Sequence, residues 1–241
     1  MATKFDHARP WDFKNIVEQA VILAQYFPGL DFSRVVDVAV RSFWKKGHFV
    51  LPDGMDGLAL IPKHSAVARL AKGNEEWPAY NRALVHLFEI LKADCREFDF
   101  VDIIGVGPDV ERCTRKTVEV YRRLEAIPGD VLVMAVQTGR LYKGKSAYDV
   151  CDLLKMKQEF GLDSFAVGCI VLTHPERMDK PEPHIDSVGS VHAPFPEAPF
   201  AEVTCLGRWP PFDRLIFNKH QRVSFSEGCG SATGVCSEVE F

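Results

Sequence analysis

The chain has no apolar run long enough to cross a bilayer: the longest, Phe165 to Leu172, falls well short of the ~18 residues a spanning helix needs. It has no excess of either charge. With 29 Lys and Arg against 33 Asp and Glu, the net charge of −4 excludes the global basic field that would announce nucleic acid or an acidic membrane, though a local patch stays open. No C-x-x-C pair occurs among the seven cysteines, at 95, 113, 151, 169, 205, 229 and 236. An odd, scattered set fits neither a closed disulfide framework nor a zinc ribbon, so buried free thiols in a reducing cytoplasm are expected. The opening segment MATKFDHARPWDF lacks the apolar stretch of a signal peptide, which also predicts a cytoplasmic protein.

Hydrophobic residues are plentiful. At 46% of 241 residues, they suffice for one sizeable core and exclude a disordered or collagen-like chain. Over the first 95 residues the spacing is helical. Phe13, Ile16, Val17, Ala20, Ala24 and Phe27 recur at three- and four-residue steps, as do Phe32, Val35, Val36, Ala39 and Phe43 after Pro28-Gly29, with Asp31 placed to cap the second run. Trp77 to Ala93 predicts a third helix. Between these, His48 to Leu51 and Leu58 to Ile61 flank Pro52-Asp53-Gly54 and predict a hairpin.

From residue 96 onward the pattern alternates. Phe100 to Val106, Val131 to Val136 and Phe165 to Leu172 predict strands, separated by helices opening at Asp109 and running from Ser146 to Phe160. Strands in alternation with helices imply βαβ crossovers. Eight of the 15 prolines then fall between Pro175 and Pro211, which predicts a long surface loop. Val203 to Leu206, Leu215 to Phe217 and Val223 to Phe225 predict short final strands before a Gly- and Ser-rich tail. The expected fold is therefore mixed α/β. A helical N-terminal part, 1–95, packs on a C-terminal part, 96–241, with a partly parallel sheet, the two forming one compact unit.

One segment carries a specific chemical suggestion. Gly139-Arg140-Leu141-Tyr142-Lys143-Gly144-Lys145-Ser146 fits G-x-x-x-x-G-K-S and stands between a predicted strand and a predicted helix. In that motif glycines let backbone amides curl toward phosphate, the lysine neutralises it, and the serine hydroxyl ligates magnesium. Gly139, Arg140, Lys143, Gly144, Lys145 and Ser146 are accordingly the candidate phosphate-binding residues, with magnesium and a nucleotide as cofactors only if the loop is a true P-loop. Against this, the variable positions are bulky, and no strand downstream supplies a magnesium-holding Asp. A looser contact with nucleotide or nucleic-acid phosphate, and a purely structural basic turn, both remain open.

The stretch 128–178, with QTGRLYKGKS, EFGLDSFAVG and LTHPERM, and GSATG at 230–234, resembles a family of bacterial hypothetical proteins. The resemblance implies no activity and no catalytic residue, and its members often carry Arg where Lys145 stands.

Other constellations are weaker. His174, His184, Asp186 and His192 offer imidazole and carboxylate, but their spacing matches no standard ligand set, and no metal site is assigned. Cys229 and Cys236 read as free thiols. Cys169 and His174 sit too far apart on a predicted strand to form a dyad. The segment 175–212, with its prolines and with Trp209 and Phe212, predicts a protein-docking surface as the alternative to phosphate binding. Whether the chain is an enzyme stays open at this stage.

Overall fold

A computed structural model describes residues 12–35, 37, 39, 44–45, 48–93, 99–105, 107, 111–154, 158–178, 184–192, 202–209, 214–221 and 228–236. Helix α1, Ile16–Tyr26, starts on a capping box: the Asn15 side chain accepts from the Val17 and Glu18 amides while Glu18 reaches back to the Asn15 amide. Two short strands, β1 (Trp44–Lys45) and β2 (His48–Phe49), pair with each other. There follow β3 (Gly57–Pro62), α2 (His64–Leu70), α3 (Ala79–Ala93), β4 (Asp99–Asp102), β5 (Glu111–Cys113) and α4 (Arg115–Glu125). Next come β6 (Val131–Thr138), α5 (Ala147–Leu154), β7 (Phe160–Gly161) and α6 (Ser164–Thr173). The remaining strands are β8 (His184–Asp186), β9 (Ser190–His192), β10 (Glu202–Trp209), β11 (Arg214–Gln221) and β12 (Cys229–Val235).

Among the described residues, ten strands form one mixed sheet whose spine runs β3-β6-β12-β8-β10-β11-β4, with β7 on β12, β9 on β10 and β5 on β9. The β12–β8 and β11–β4 pairs are parallel; the others are antiparallel. The mixed α/β class expected from the sequence is thus present. Strand β3 joins the sheet beside β6, so the N-terminal 95 residues contribute a strand as well as helices.

Several local expectations change. Phe165 to Leu172 is helix α6, with every residue from Ser164 to Thr173 buried. A helix apolar on all sides gives no periodic signal, so its pattern matches that of a buried strand. Its start is nonetheless marked: the Asp163 carboxylate caps it by accepting from the Ala166 amide at 2.8 Å. Helix α6 packs against β3 and β10 of the sheet and against α1 and α3. The hairpin at Pro52-Asp53-Gly54 does not form, because β2 pairs with β1 and β3 pairs with β6. The helix placed from Asp109 opens at Thr114, whose hydroxyl accepts from the Thr117 amide, after the edge strand β5. The helix placed over Ser146 to Phe160 is described over Ala147–Leu154, and Phe160 lies in β7. The stretch 175–211 holds a 3-10 turn, Pro175–Met178, and three strands, β8, β9 and β10. The Gly- and Ser-rich tail supplies β12, in the middle of the sheet. The predicted strand Val223 to Phe225, half of the second helical run (36, 38 and 40–43), and Phe212 lie outside the described residues.

His174 closes α6. Its Nε2 accepts from the Lys14 amide at 2.9 Å and its Nδ1 lies 2.8 Å from the Thr173 hydroxyl, so the ring ties the segment before α1 to the central helix. Burial, and then the nearby Lys14 ammonium, hold His174 down to about 4. The neutral ring is the folded form. Its contribution to stability is complete above the unfolded value near 6.5 and is lost as pH falls from there toward 4. Lowering the pH from 7 to 5 should cost about 2 kcal/mol through this one group. Urea midpoints should show that slope in the wild type. It should flatten by about that amount in His174→Gln, which keeps an acceptor for the Lys14 amide but takes up no proton.

Candidate functional site

Strand alternation gives the sheet two unlike faces. On β8, β10 and β11, Ile185, Leu206, Leu215 and Phe217 belong to the main core. The alternate residues bring polar groups to the other face, alongside Val203 and Ile216. Asp186 stands in register with Cys205 on β10 and Ser231 on β12, while His184 stands in register with Cys229. His220 comes from β11, opposite Val203 and two positions from the Cys205–Asn218 pair. Two imidazoles, two thiols and a carboxylate therefore share one face of four adjacent strands. Gly207 makes room for one of them: a Cβ there would meet the His184 ring at 2.6 Å.

Asp186 is 1% exposed, and a carboxylate buried to that degree requires a proton donor. His220 supplies it, with Nε2 at 2.9 Å from Oδ1. The other ring nitrogen, Nδ1, lies 3.3 Å from the Gln221 carbonyl. The hydrogen bond to Asp186, then one to Cys229, raise His220 to about 10. His184 is raised by its hydrogen bond to Cys229. Burial alone would push the Cys229 thiol up, but the hydrogen bonds from His184 and His220 outweigh it and bring the thiol down to about 7. Near neutral pH Cys229 is thus a half-buried, partly ionised thiol that shares its sheet face with the charged His220 ring, itself held by a carboxylate. Cys205 is the opposite case: burial, then the Asp186 charge, push its thiol far up. One oxygen of Asp186, the Cys205 sulfur and a His220 nitrogen lie within 4.8 Å of one another, and this is the donor set able to hold a metal ion among the described residues.

The loop 139–146 lies beside this cluster. The Gly144 amide donates to the Cys229 carbonyl at 3.3 Å, the Lys143 amide to Arg140 at 3.3 Å, and the Lys145 amide to Tyr142 at 3.1 Å. The Gly139 amide donates to Gln137 Oε1 at 2.8 Å. The Ser146 hydroxyl donates to the Asp149 carboxylate at 2.6 Å and accepts from the Asp149 amide. Tyr142 turns inward, donates to Glu159 at 2.7 Å, and packs with Ala147, Val150, Leu154, Val188 and Val203. Val203 shares the face of Cys205, so α5 and the loop cover the side of the sheet that carries the cluster. Lys143 and Lys145 are exposed, Arg140 half-buried. The loop is docked by close backbone contact: a Cβ on Gly139 would meet the Gly230 carbonyl oxygen at 2.6 Å, and one on Gly230 would meet the Gly139 oxygen at 2.1 Å.

Of the four metal-type residues noted from the sequence, His184 and Asp186 meet here. His174 is engaged at the end of α6, and His192 lies on β9, its Nε2 3.9 Å from Glu202. Cys169 is fully buried and the His174 ring bonds elsewhere, so the two form no dyad even on a helix. Cys205 and His220, and the role of Cys229, were missed because only strand register brings them together. Compared with family models, curated proteins and solved structures, the chain matches none.

Gly230→Ala should force β12 and the loop apart and destabilise by about 1–3 kcal/mol, as overpacking against backbone does. Urea midpoints check the stability. Trypsin should cut faster after Arg140, Lys143 and Lys145 in the variant than in the wild type.

Proposed function

We propose that the protein is a cysteine-dependent enzyme of the reducing cytoplasm, acting on an electrophilic, phosphate-bearing substrate. The observation that carries this reading is the shared sheet face on which Cys229 stands in register with His184 and His220 is bonded to the buried Asp186 carboxylate, an arrangement that lowers the Cys229 thiol. That is the relation among nucleophile, acid-base group and orienting group that covalent catalysis requires. The Cys229 thiolate attacks an acyl carbon, forming an S–C bond as the bond to the leaving group breaks. His220 passes its proton to the leaving group, and Asp186 holds the ring and balances its charge. Water, giving up a proton to His220, then cleaves the thioester and frees the thiolate.

The loop 139–146 supports the choice of substrate. Its amides at 143, 144 and 145 are used within the protein, so contact with phosphate falls to the side chains of Lys143, Lys145 and Arg140 rather than to a backbone cradle. The Gly144 to Cys229 hydrogen bond docks the backbone of this loop on the residue that carries the thiol.

Iodoacetamide labelling of Cys229, followed by peptide mass spectrometry, tests the nucleophile. Its rate should rise with a midpoint near 7, and His220→Ala should move the midpoint toward the ordinary thiol value of about 8.5. A wild-type midpoint above 8, unchanged by that substitution, would overturn the reading. An activated ester carrying a phosphate should show a lower KM than its neutral analogue, and Lys145→Ala should raise that KM several-fold with kcat unchanged.

A further inference from the structure

Cys205 takes no part in the thiolate chemistry. Yet its sulfur lies with a carboxylate oxygen of Asp186 and a ring nitrogen of His220 in one group whose members are within 4.8 Å of one another. Asp186 and Cys205 are 1% and 5% exposed, and His220 is half-buried, so the group opens to solvent on the imidazole side. Ser231, in register with Asp186 on the next strand, has a buried hydroxyl oxygen without a hydrogen-bond partner among the described residues. Sulfur, imidazole nitrogen and carboxylate oxygen at such separations form a mixed donor set that suits a borderline divalent transition ion of the zinc class, and does not suit calcium or magnesium, which take oxygen shells.

We propose that Asp186, Cys205 and His220 form a zinc-class metal site, and that metal bound there shuts off Cys229 by taking the His220 ring assigned above as its acid-base group. The metal site stands on its own donors; its regulatory effect rests on the thiolate reading above. Three strands hold the donors in register, so little rearrangement is needed for an ion to enter. The rule is competitive: an imidazole ligating a metal no longer serves as the proton carrier of the thiolate.

Cobalt(II) serves as the probe, added to the reduced, metal-free full-length chain. The wild type should bind one ion per chain with a thiolate-to-cobalt charge-transfer band, and zinc should displace it. Cys205→Ser and His220→Ala, each checked for folding by circular dichroism, should weaken cobalt binding at least tenfold, Cys205→Ser with loss of the band. Cys205→Ser should leave metal-free iodoacetamide labelling of Cys229 within twofold of wild type. One equivalent of zinc should slow that labelling at least tenfold in the wild type and not in Cys205→Ser. No band in the folded wild type, or equal cobalt affinity in Cys205→Ser, would overturn the metal site. A band without slowed labelling would overturn its regulatory role. Slow labelling of the metal-free wild type with the band intact would overturn the thiolate reading and leave the metal site standing.

Discussion

Strand β12 pairs antiparallel with β6 on one side and parallel with β8 on the other, and the architecture depends on that double pairing. Without it the sheet falls into two pieces, β3-β6 and β8-β10-β11-β4, and Cys229 loses its place beside His184. The strand, Cys-Gly-Ser-Ala-Thr-Gly-Val, is built mostly from small residues, and its two glycines and its alanine are poor strand formers by propensity. Here the lack of bulk is what counts: Gly230 admits the Gly139 backbone at van der Waals distance, and Gln137 bonds the Ser231 carbonyl and the Thr233 hydroxyl from the neighbouring strand.

The two faces of the sheet divide the labour. One is sealed by α6, a helix without a polar side, and supplies the burial that opposes chain entropy. The other carries charge under partial cover, where a hydrogen bond gains strength from the low local dielectric and an unanswered carboxylate would be costly. Asp186 and His220 settle that cost between them. Their pairing keeps the imidazole charged, and the charged imidazole lowers the Cys229 thiol. The ionisation of a single sulfur is thereby tied to residues at three other positions of the sheet.

Much of the architecture was legible in the sequence, because amphipathic helices write their period into the chain: α1 and α3 fall where Phe13 to Phe27 and Trp77 to Ala93 placed them. The misreadings share a cause. Where an element is buried on every side, as α6 is, or built from Gly, Ser and Thr, as β12 is, no contrast between faces remains to be read. The cluster around Cys229 was legible only in part. His184 and Asp186 stood out by residue type, in a stretch that its prolines marked as a loop, but Cys205, His220 and Cys229 join them through register across β10, β11 and β12, which local pattern does not encode. The loop 139–146 was found by its motif. What the motif could not convey was that Tyr142 turns into the core and that the Gly144 amide is already bonded to Cys229.

The order of strands along the chain also sets the timing of folding. Strand β6 ends at Thr138 and its partner β12 begins at Cys229. At ribosomal speed the intervening stretch takes about 5–20 s to make. Throughout that interval β6 offers an unpaired edge, and from the time Thr173 is added until β10 is complete at Trp209 helix α6 lacks a strand it packs against, so for that part the nascent chain carries its most apolar segment without full cover. A chain arranged in this way depends on holdase chaperones during synthesis more than one whose neighbouring strands are consecutive. Its yield on expression should therefore respond to growth temperature and chaperone supply more steeply than the stability of the finished fold would suggest.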